Sequence, residues 1–126
     1  MRLLLDSHVF LWWRMADPRL SRGVVDEVQR ASVVYVSAAT AWELGLKVAL
    51  GKLRIPEPVE DGARDSGFAE LPVTFRHTRA AAALPMHHRD PFDRMLVAQA
   101  LEEGLRIATH DDSALAAYGV PTLHVP

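Results

Sequence analysis

Four acidic residues are the side chains in this sequence best suited to chemistry. They are Asp6, Glu43, Asp93 and Asp111. Carboxylates pushed together repel and raise one another's pKa, so a cluster of them is stable mainly when a hard divalent cation neutralises it. Mg²⁺ or Mn²⁺ held in this way can activate water, orient a phosphodiester and stabilise the leaving oxygen. These residue types therefore suggest metal-dependent hydrolysis that needs no nucleophilic side chain.

Two of the acids follow apolar runs that read as buried strands. Asp6 comes directly after Leu3-Leu4-Leu5, where a charge is costly to bury unless it is paired or bound to metal. Capping the next helix is an equally open role for Asp at such a turn. Asp111 has Asp112 as its neighbour, and either could cap the short helix that follows. We favour Asp111 as the functional acid because it is nearer the end of the strand.

Glu43 lies within a predicted helix rather than at its end. Trp42, Leu46 and Ala49 recur at helical spacing and predict an apolar stripe on this helix, which Glu43 borders. An ordinary ion pair with Lys47, one turn later, would explain Glu43 without any function and would contribute about 0.3–0.5 kcal/mol. Both interpretations stay open from this helix alone.

Asp93 stands at the third position of a helix whose start is clearly marked. Asp90 suits the N-cap and Pro91 the first helical position. A favourable interaction with the helix dipole would then be enough to explain Asp93. The apolar residues at i+4, i+7 and i+8 from Asp93 are Val97, Ala100 and Leu101. This spacing predicts that the carboxylate points along the face that packs on the sheet, an orientation that the helix dipole does not require.

Strand and helix patterns alternate along the chain. Five strands are predicted, at Arg2–Leu5, Val33–Ser37, Ala69–Val73, Arg106–Thr109 and Thr122–Val125. Helices are predicted at Val9–Met15, Ser21–Arg30, Ala38–Leu50, Phe75–Leu84, Pro91–Glu103 and Ser113–Ala117, and Ile55–Pro58 is predicted to be a loop. Such alternation predicts a central parallel sheet with helices on both faces. Ligands bind there beyond the carboxyl ends of the strands, which is where Asp6 and Asp111 fall.

The composition fits one ordinary globular domain, expected to span residues 1–126. Cysteine is absent, which excludes disulfides and thiolate zinc sites. The N-terminal apolar run is too short for a signal peptide or a membrane span, so a cytoplasmic protein is expected. The formal net charge of −2 argues against binding nucleic acid through a strongly basic surface. Cations bound to the acids would leave the rest of the chain with a small positive charge.

Four segments together resemble the motifs of VapC-type PIN domains, the ribonuclease toxins of toxin–antitoxin pairs. The matching segments are Leu4-Leu5-Asp6, Ser37–Leu44, Asp90–Ala100 and Thr109-His110-Asp111. The likeness covers nearly the whole chain, and its most specific part is the segment Asp-Pro-Phe-Asp-Arg-Met-Leu-Val-Ala-Gln-Ala. It implies a three-layer α/β/α sandwich with a parallel sheet of about five strands, a Mg²⁺ or Mn²⁺ site and endonucleolytic cleavage of RNA. It also implies a homodimer and inhibition by a cognate VapB-like antitoxin.

The resemblance assigns roles to residues by position. Asp6, Glu43 and Asp93 match the best-defined acids of the family, and Asp111 matches the more variable fourth. Ser7 and Thr109 would orient the carboxylates or water through their hydroxyl groups. Lys47 and Arg94 could contact substrate phosphates, or could simply be exposed to solvent.

Other interpretations are weaker. The histidines His87, His88 and His110 lack the spacing of a zinc site, so loop or substrate-contact roles are preferred. The segment Phe10–Trp13 could stack on bases, although core or partner contacts are favoured.

A haloacid-dehalogenase-like phosphatase would need a second Asp where His8 stands, and no phosphate-binding glycine motif occurs. A PIN nuclease of RNA maturation or decay, and a noncatalytic binding module on the same fold, remain alternatives.

Overall fold

A computed structural model describes residues 1–126, in which five strands and seven helices alternate. The strands are β1 (Arg2–Leu5), β2 (Val33–Ser37), β3 (Ala69–Leu71), β4 (Arg106–Thr109) and β5 (Thr122–His124). The helices are α1 (Ser7–Arg14), α2 (Arg22–Arg30), α3 (Ala38–Ala49), α4 (Val59–Asp65), α5 (Phe75–Ala83), α6 (Pro91–Glu103) and α7 (Asp112–Ala116). The five strands and six helices expected from the sequence are confirmed, with bounds within two residues.

Helix α4 was not predicted from the sequence. Its N-cap is Pro58, which makes no side-chain capping hydrogen bond, and Gly62 interrupts its seven residues. A Cβ at Gly62 would lie 3.0 Å from Arg14 Nε and 3.1 Å from Glu57 Oε1, so a larger residue would crowd this ion pair. The helix therefore packs closely against a partly buried ion pair, a contact that local sequence preference does not reveal.

All strands are parallel, in the order β3-β2-β1-β4-β5. The expected class, a parallel sheet between two layers of helices, is confirmed. β1 is the middle strand, and Leu4 pairs with Tyr35 of β2 on one side and with Ile107 of β4 on the other. Leu3, Leu4 and Leu5 are completely buried, which is why this strand is apolar at every position instead of alternating.

The two faces of β1 contribute to two separate apolar clusters. Leu3 and Leu5 pack with residues of α1 to α4, among them Phe10 and Leu44. Leu4 packs on the opposite face with residues of α6 and α7, such as Val97. The sheet is therefore covered on both sides, and the carboxyl ends of its strands form the edge at which a site can be built. No helix combines the length and the apolar character needed to cross a membrane.

The predicted apolar stripe of α3 is wrong as a core-facing surface. Trp42 is 65% exposed and Leu46 is 40% exposed, and Ala49 is exposed as well. The buried face of α3 instead carries Ala39, Thr40, Glu43 and Leu44. Leu101 of α6 is likewise 43% exposed, so it does not share the buried face of Val97 and Ala100. Of the larger apolar side chains of α3, Leu44 is therefore buried, whereas Trp42 and Leu46 are exposed.

Candidate metal centre

Asp6 lies at the end of β1, where the chain order of the sheet reverses between β1 and β4. Its backbone N–H donates to the Ala108 carbonyl of β4 at 3.1 Å, and its Oδ1 accepts from the Val9 N–H at 2.8 Å as the N-cap of α1. The expected capping role is therefore present. Burial raises the pKa of Asp6, opposed by hydrogen bonds from the Thr109 side chain and the Val9 N–H.

Glu43 reaches the same edge of the sheet from α3. Its side chain is buried, the Ser7 hydroxyl donates to its Oε1, and Lys47 Nζ lies 3.1 Å from its Oε2. The ordinary ion pair expected from the sequence thus exists. Ser7 follows Asp6 directly in the chain, so its hydroxyl ties Glu43 to the end of β1. The ion pair and a role in the acidic cluster are both compatible with this position.

Asp93 comes from α6, which begins as the sequence predicts. The Asp90 carboxylate accepts from the N–H groups of Phe92 at 2.8 Å and Asp93 at 3.2 Å. The pKa of Asp93 is raised to about 6, chiefly by burial and then by the charge of Asp90. Asp6 and Glu43 raise it further by charge repulsion, while His88 lowers it. These acids, 37 and 50 positions apart along the chain, are therefore close enough to repel one another.

Asp111 follows β4 and borders the same cavity. Its N–H donates to the Thr109 hydroxyl at 3.0 Å, and its carboxylate makes no capping hydrogen bond to α7. The neighbouring Asp112 instead pairs with His124, at 2.7 Å between Oδ1 and Nδ1. The structure thus separates the two members of the doublet and leaves Asp111, 58% exposed in its side chain, beside Asp93.

His88 belongs to this cluster, although only a loop or substrate-contact role was predicted for it. Its Nε2 lies 3.4 Å from Asp93 Oδ2 and 3.7 Å from Asp111 Oδ2. The potential ligand atoms of His88, Asp93 and Asp111 all lie within 4.8 Å of one another. Its place two residues before the helix N-cap Asp90 was the one available signal, because the loop at the start of α6 must come near Asp93.

The acids face a cavity of about 240 Å³. Its lining residues are Asp6, His8, Trp12, Asp93, Thr109, His110, Asp111 and Leu115. Glu43 is not one of these lining residues, and its Oε1 accepts a hydrogen bond from the Ser7 hydroxyl. The cavity thus has carboxylates at one part of its surface and aromatic rings at another.

The donor set fits a hard divalent cation. It consists mainly of carboxylate oxygens. Burial, and to a lesser extent repulsion between the carboxylates, raises the pKa of Asp6 and of Asp93, and a bound cation would offset both effects. Thr40, one turn before Glu43, also has a buried hydroxyl without a hydrogen-bond partner. An unsatisfied buried oxygen near an acidic cluster is uncommon in folded proteins. Asp6, Glu43, Asp93 and Asp111 are the residues that would hold the cation.

The prediction that Arg94 contacts substrate phosphates or solvent is wrong. Its side chain is buried, and its guanidinium donates to the carbonyl oxygens of Ala81, Leu84 and Pro85 at 2.9 to 3.0 Å. Both terminal nitrogens are occupied by backbone oxygens, because the segment between α5 and α6 wraps around them. Arg94 therefore fixes that loop instead of meeting a phosphate. Lys47 keeps 41% of its side chain exposed.

The aromatic segment of α1 is divided between core and cavity. Phe10 is buried in the core, which excludes it as a base-stacking surface, and Trp13 packs on Phe68 with ring centroids 5.3 Å apart. Trp12 differs, since it lines the acidic cavity and its ring lies 5.7 Å from that of His110. Only Trp12 of this segment is thus placed beside the acids.

Comparison with known proteins identifies relatives of the same architecture. The family described as PIN domain matches residues 3–120. Ribonuclease VapC22 of Mycobacterium tuberculosis is 30% identical over 112 residues, which cover 86% of each chain. Ribonuclease VapC16 of the same organism is 38% identical over 71 residues, covering 52% of this chain and 49% of the relative.

Solved structures show the same fold at lower sequence identity. DNA-bound VapBC from Salmonella typhimurium superposes with a TM-score of 0.74 at 15% identity, covering 100% of this chain and 99% of that chain. FitAcB from Neisseria gonorrhoeae has a TM-score of 0.68 at 22% identity, covering 97% and 96%. These likenesses extend over the whole sheet and all the helices that bring the acids together.

Proposed function

Because the chain belongs to the PIN-domain family, we propose that it is a VapC-type ribonuclease toxin that cleaves RNA through a Mg²⁺ or Mn²⁺ site and is neutralised by a cognate antitoxin. The observation that carries this function is the convergence of Asp6, Glu43 and Asp93 from three elements, with Asp111 bordering the same cavity. The ribonuclease relatives name the reaction class. Residues 1–126 would act as one domain, in the cytoplasm where the RNA is.

Some side chains of this protein would bind the cation, and others would orient the carboxylates that bind it. A cation bound at this site would activate water and neutralise the charge of the phosphate. Asp6, Glu43, Asp93 and Asp111 hold it through their carboxylates. The Ser7 hydroxyl fixes Glu43, and the Thr109 side chain fixes Asp6, so that rotation of these carboxylates is restricted. Lys47 balances the charge of Glu43 and has an exposed portion that can meet a phosphate.

Single-stranded RNA suits the cavity better than a small phosphate ester does. Trp12, His8 and His110 line it beside the acids, and Trp12 also carries the Arg19 guanidinium 5.1 Å from its ring centroid. Unpaired bases stack on aromatic rings and on guanidinium planes. A nucleotide with its phosphate at the acids would thus have rings within reach of its base.

Growth of a bacterial host tests the toxin assignment. Induced expression of this chain alone is expected to stop growth within a few generations, because cleavage of an essential RNA halts protein synthesis. Co-expression of a cognate VapB-like antitoxin is expected to restore growth. The measurement is optical density and viable count after induction, with RNA sequencing of the cleaved ends.

Other results would distinguish the alternatives. A nuclease of RNA maturation or decay would leave growth nearly normal while trimming RNA in vitro. A noncatalytic module would neither arrest growth nor cut RNA. Normal growth at full expression would contradict the toxin assignment.

We also propose that the chain forms a homodimer, with the exposed apolar side chains of α3 at the contact. Trp42, Leu46 and Leu50 are 65%, 40% and 67% exposed on neighbouring turns, an unusual concentration for a free surface. The double change Leu46→Glu and Leu50→Glu is expected to convert the dimer to a 14.0 kDa monomer, measured by light scattering. Leu101→Glu on α6, 43% exposed, is the matched control. A variant that keeps the dimer but no longer binds antitoxin would assign this face to the antitoxin instead.

A further inference from the structure

The imidazole ring of His88 lies beside the acids and has no role in the function proposed above. Its ring lies in the loop before α6, with Nε2 3.4 Å from Asp93 Oδ2 and 3.7 Å from Asp111 Oδ2. Judged by distance alone, the three side chains look like a metal-binding trio. The hydrogen bond on the other side of the ring leads to a different conclusion.

The proton on the His88 ring is located by its neighbour Asp90. The Asp90 backbone N–H donates to His88 Nδ1 at 3.1 Å, so Nδ1 must present a lone pair. A neutral imidazole then carries its only proton on Nε2, the atom that faces the two carboxylates. A metal ligand needs a lone pair at that atom. Ligating histidines ordinarily donate from their other nitrogen to an oxygen, which is the reverse of this arrangement.

The loop holds the ring in this orientation. The His88 N–H donates to the Tyr118 hydroxyl at 2.8 Å, and the His88 carbonyl accepts from Arg94 Nη1 at 3.4 Å. A flipped ring would place carbon atoms against the Asp90 N–H and against both carboxylates. It would therefore lose every polar contact that the ring now makes.

We propose that His88 is a positioning residue, rather than a metal ligand, whose Nε2–H faces the Asp93 carboxylate at 3.4 Å and the Asp111 carboxylate at 3.7 Å. This proposal rests on the proposed function, and it describes the metal site of that function in more detail. With His88 acting as a donor, the ligand set contains oxygen atoms only. Such a set suits Mg²⁺ or Mn²⁺, whereas an imidazole ligand would favour Zn²⁺.

His110 provides a comparison within the same protein. Its Nδ1 lies 3.0 Å from the Val125 carbonyl oxygen, which can only accept, so the proton of a neutral His110 is on Nδ1. The two histidines that flank Asp111 thus have opposite tautomers. Any spectrum that distinguishes ring nitrogens should show this opposition directly.

Two-bond ¹H–¹⁵N correlation spectra of the whole protein test the tautomer without any RNA. With neutral rings, His88 is expected to show a protonated Nε2 and His110 a protonated Nδ1. Adding Mg²⁺ alone is expected to leave the His88 Nε2 protonated. Loss of that proton, or a lone pair on Nε2 from the outset, would overturn the proposal. Because no cleavage is measured, this result is independent of whether the protein is a nuclease.

Substitutions test the positioning role. His88→Gln keeps an N–H donor near the Nε2 position and is expected to retain most of the cleavage rate and Mg²⁺ affinity. His88→Leu removes the donor and is expected to lower Mg²⁺ affinity or cleavage by about 10- to 100-fold, as loss of an outer hydrogen bond usually does. Calorimetric titration with Mg²⁺ measures affinity, and thermal denaturation checks that each variant folds.

A matched histidine controls for effects of the substitution itself. His124→Leu removes an exposed histidine that pairs with Asp112, and it is expected to change neither quantity. Equal losses in His88→Gln and His88→Leu would refute a donor role. If the protein binds Mg²⁺ but cuts no RNA, and His88→Gln keeps the Mg²⁺ affinity that His88→Leu loses, the proposed role of His88 stands. Only the nuclease function is then contradicted.

Discussion

Replacing Asp6 with asparagine is expected to abolish RNA cleavage and to leave the fold intact. Asparagine keeps the oxygen that caps α1 at Val9, so the start of that helix is retained. The amide lacks the negative charge that would bind the cation. We expect a loss of at least about 100-fold in kcat, or about 3 kcal/mol in activation free energy. The measurement is single-turnover cleavage of a labelled RNA.

The stability of the same variant gives an independent check. The pKa of Asp6 is raised by burial in the folded chain, so its ionised form opposes folding at neutral pH. Without metal, the asparagine variant should therefore be at least as stable as the parent protein in urea denaturation. The control is Asp26→Asn on α2, an exposed carboxylate, which should change neither activity nor stability. Full activity in Asp6→Asn would rule out the mechanism.

Removal of divalent cations is expected to stop cleavage completely, and Mg²⁺ or Mn²⁺ should restore it. The carboxylates repel one another without a cation, and none of the lining residues supplies an equivalent positive charge at the acids. Cation binding to the folded chain alone would also raise its Tm, by mass action. The measurements are cleavage in EDTA followed by metal add-back, and thermal denaturation with and without Mg²⁺. Cleavage that persists in excess chelator would require another chemistry.

The raised pKa of Asp93 determines how restoration of cleavage by Mg²⁺ should depend on pH. Its folded-state pKa of about 6 lies above the ordinary value of 3.8 for an aspartate, so the folded chain binds a proton more tightly than the unfolded chain between these values. Stability without metal should therefore fall as pH rises through this window. Cations compete with that proton, so the Mg²⁺ concentration needed for half-maximal cleavage should increase as pH falls below about 6.

The strands and the positions of the acids follow from local sequence. Leu3–Leu5 predicts a strand buried on both faces, and Asp90-Pro91 predicts the first turn of α6, because these signals depend on neighbouring residues alone. A parallel sheet then fixes which ends of the elements meet. This placed Asp6 and Asp111 at one edge of the sheet, and the resemblance to VapC-type PIN domains added Glu43 and Asp93 to the same site before any coordinates were known.

The features that escaped prediction depend on contacts distant in the sequence. Trp42 looks like a core residue by spacing, but only the packing of neighbouring helices decides which face of α3 is buried. Arg94 looks exposed because charged residues usually are, yet backbone carbonyls of the preceding loop enclose it. His88 could not be placed because loop conformation, not helical or strand periodicity, determines where its ring lies.

The pairing of β1 with β4 joins residues about 100 positions apart, which affects how the protein is made. A chain still being synthesised can hold Asp6 and Glu43 near each other once β2 and α3 have emerged from the ribosome. It cannot enclose them until α6 and β4 have emerged, because Asp93, Thr109 and Asp111 come from the last third of the polypeptide. Domains fold as units near the end of their translation. A chain on the ribosome therefore has no complete acidic site until the residues as far as Asp111 have emerged.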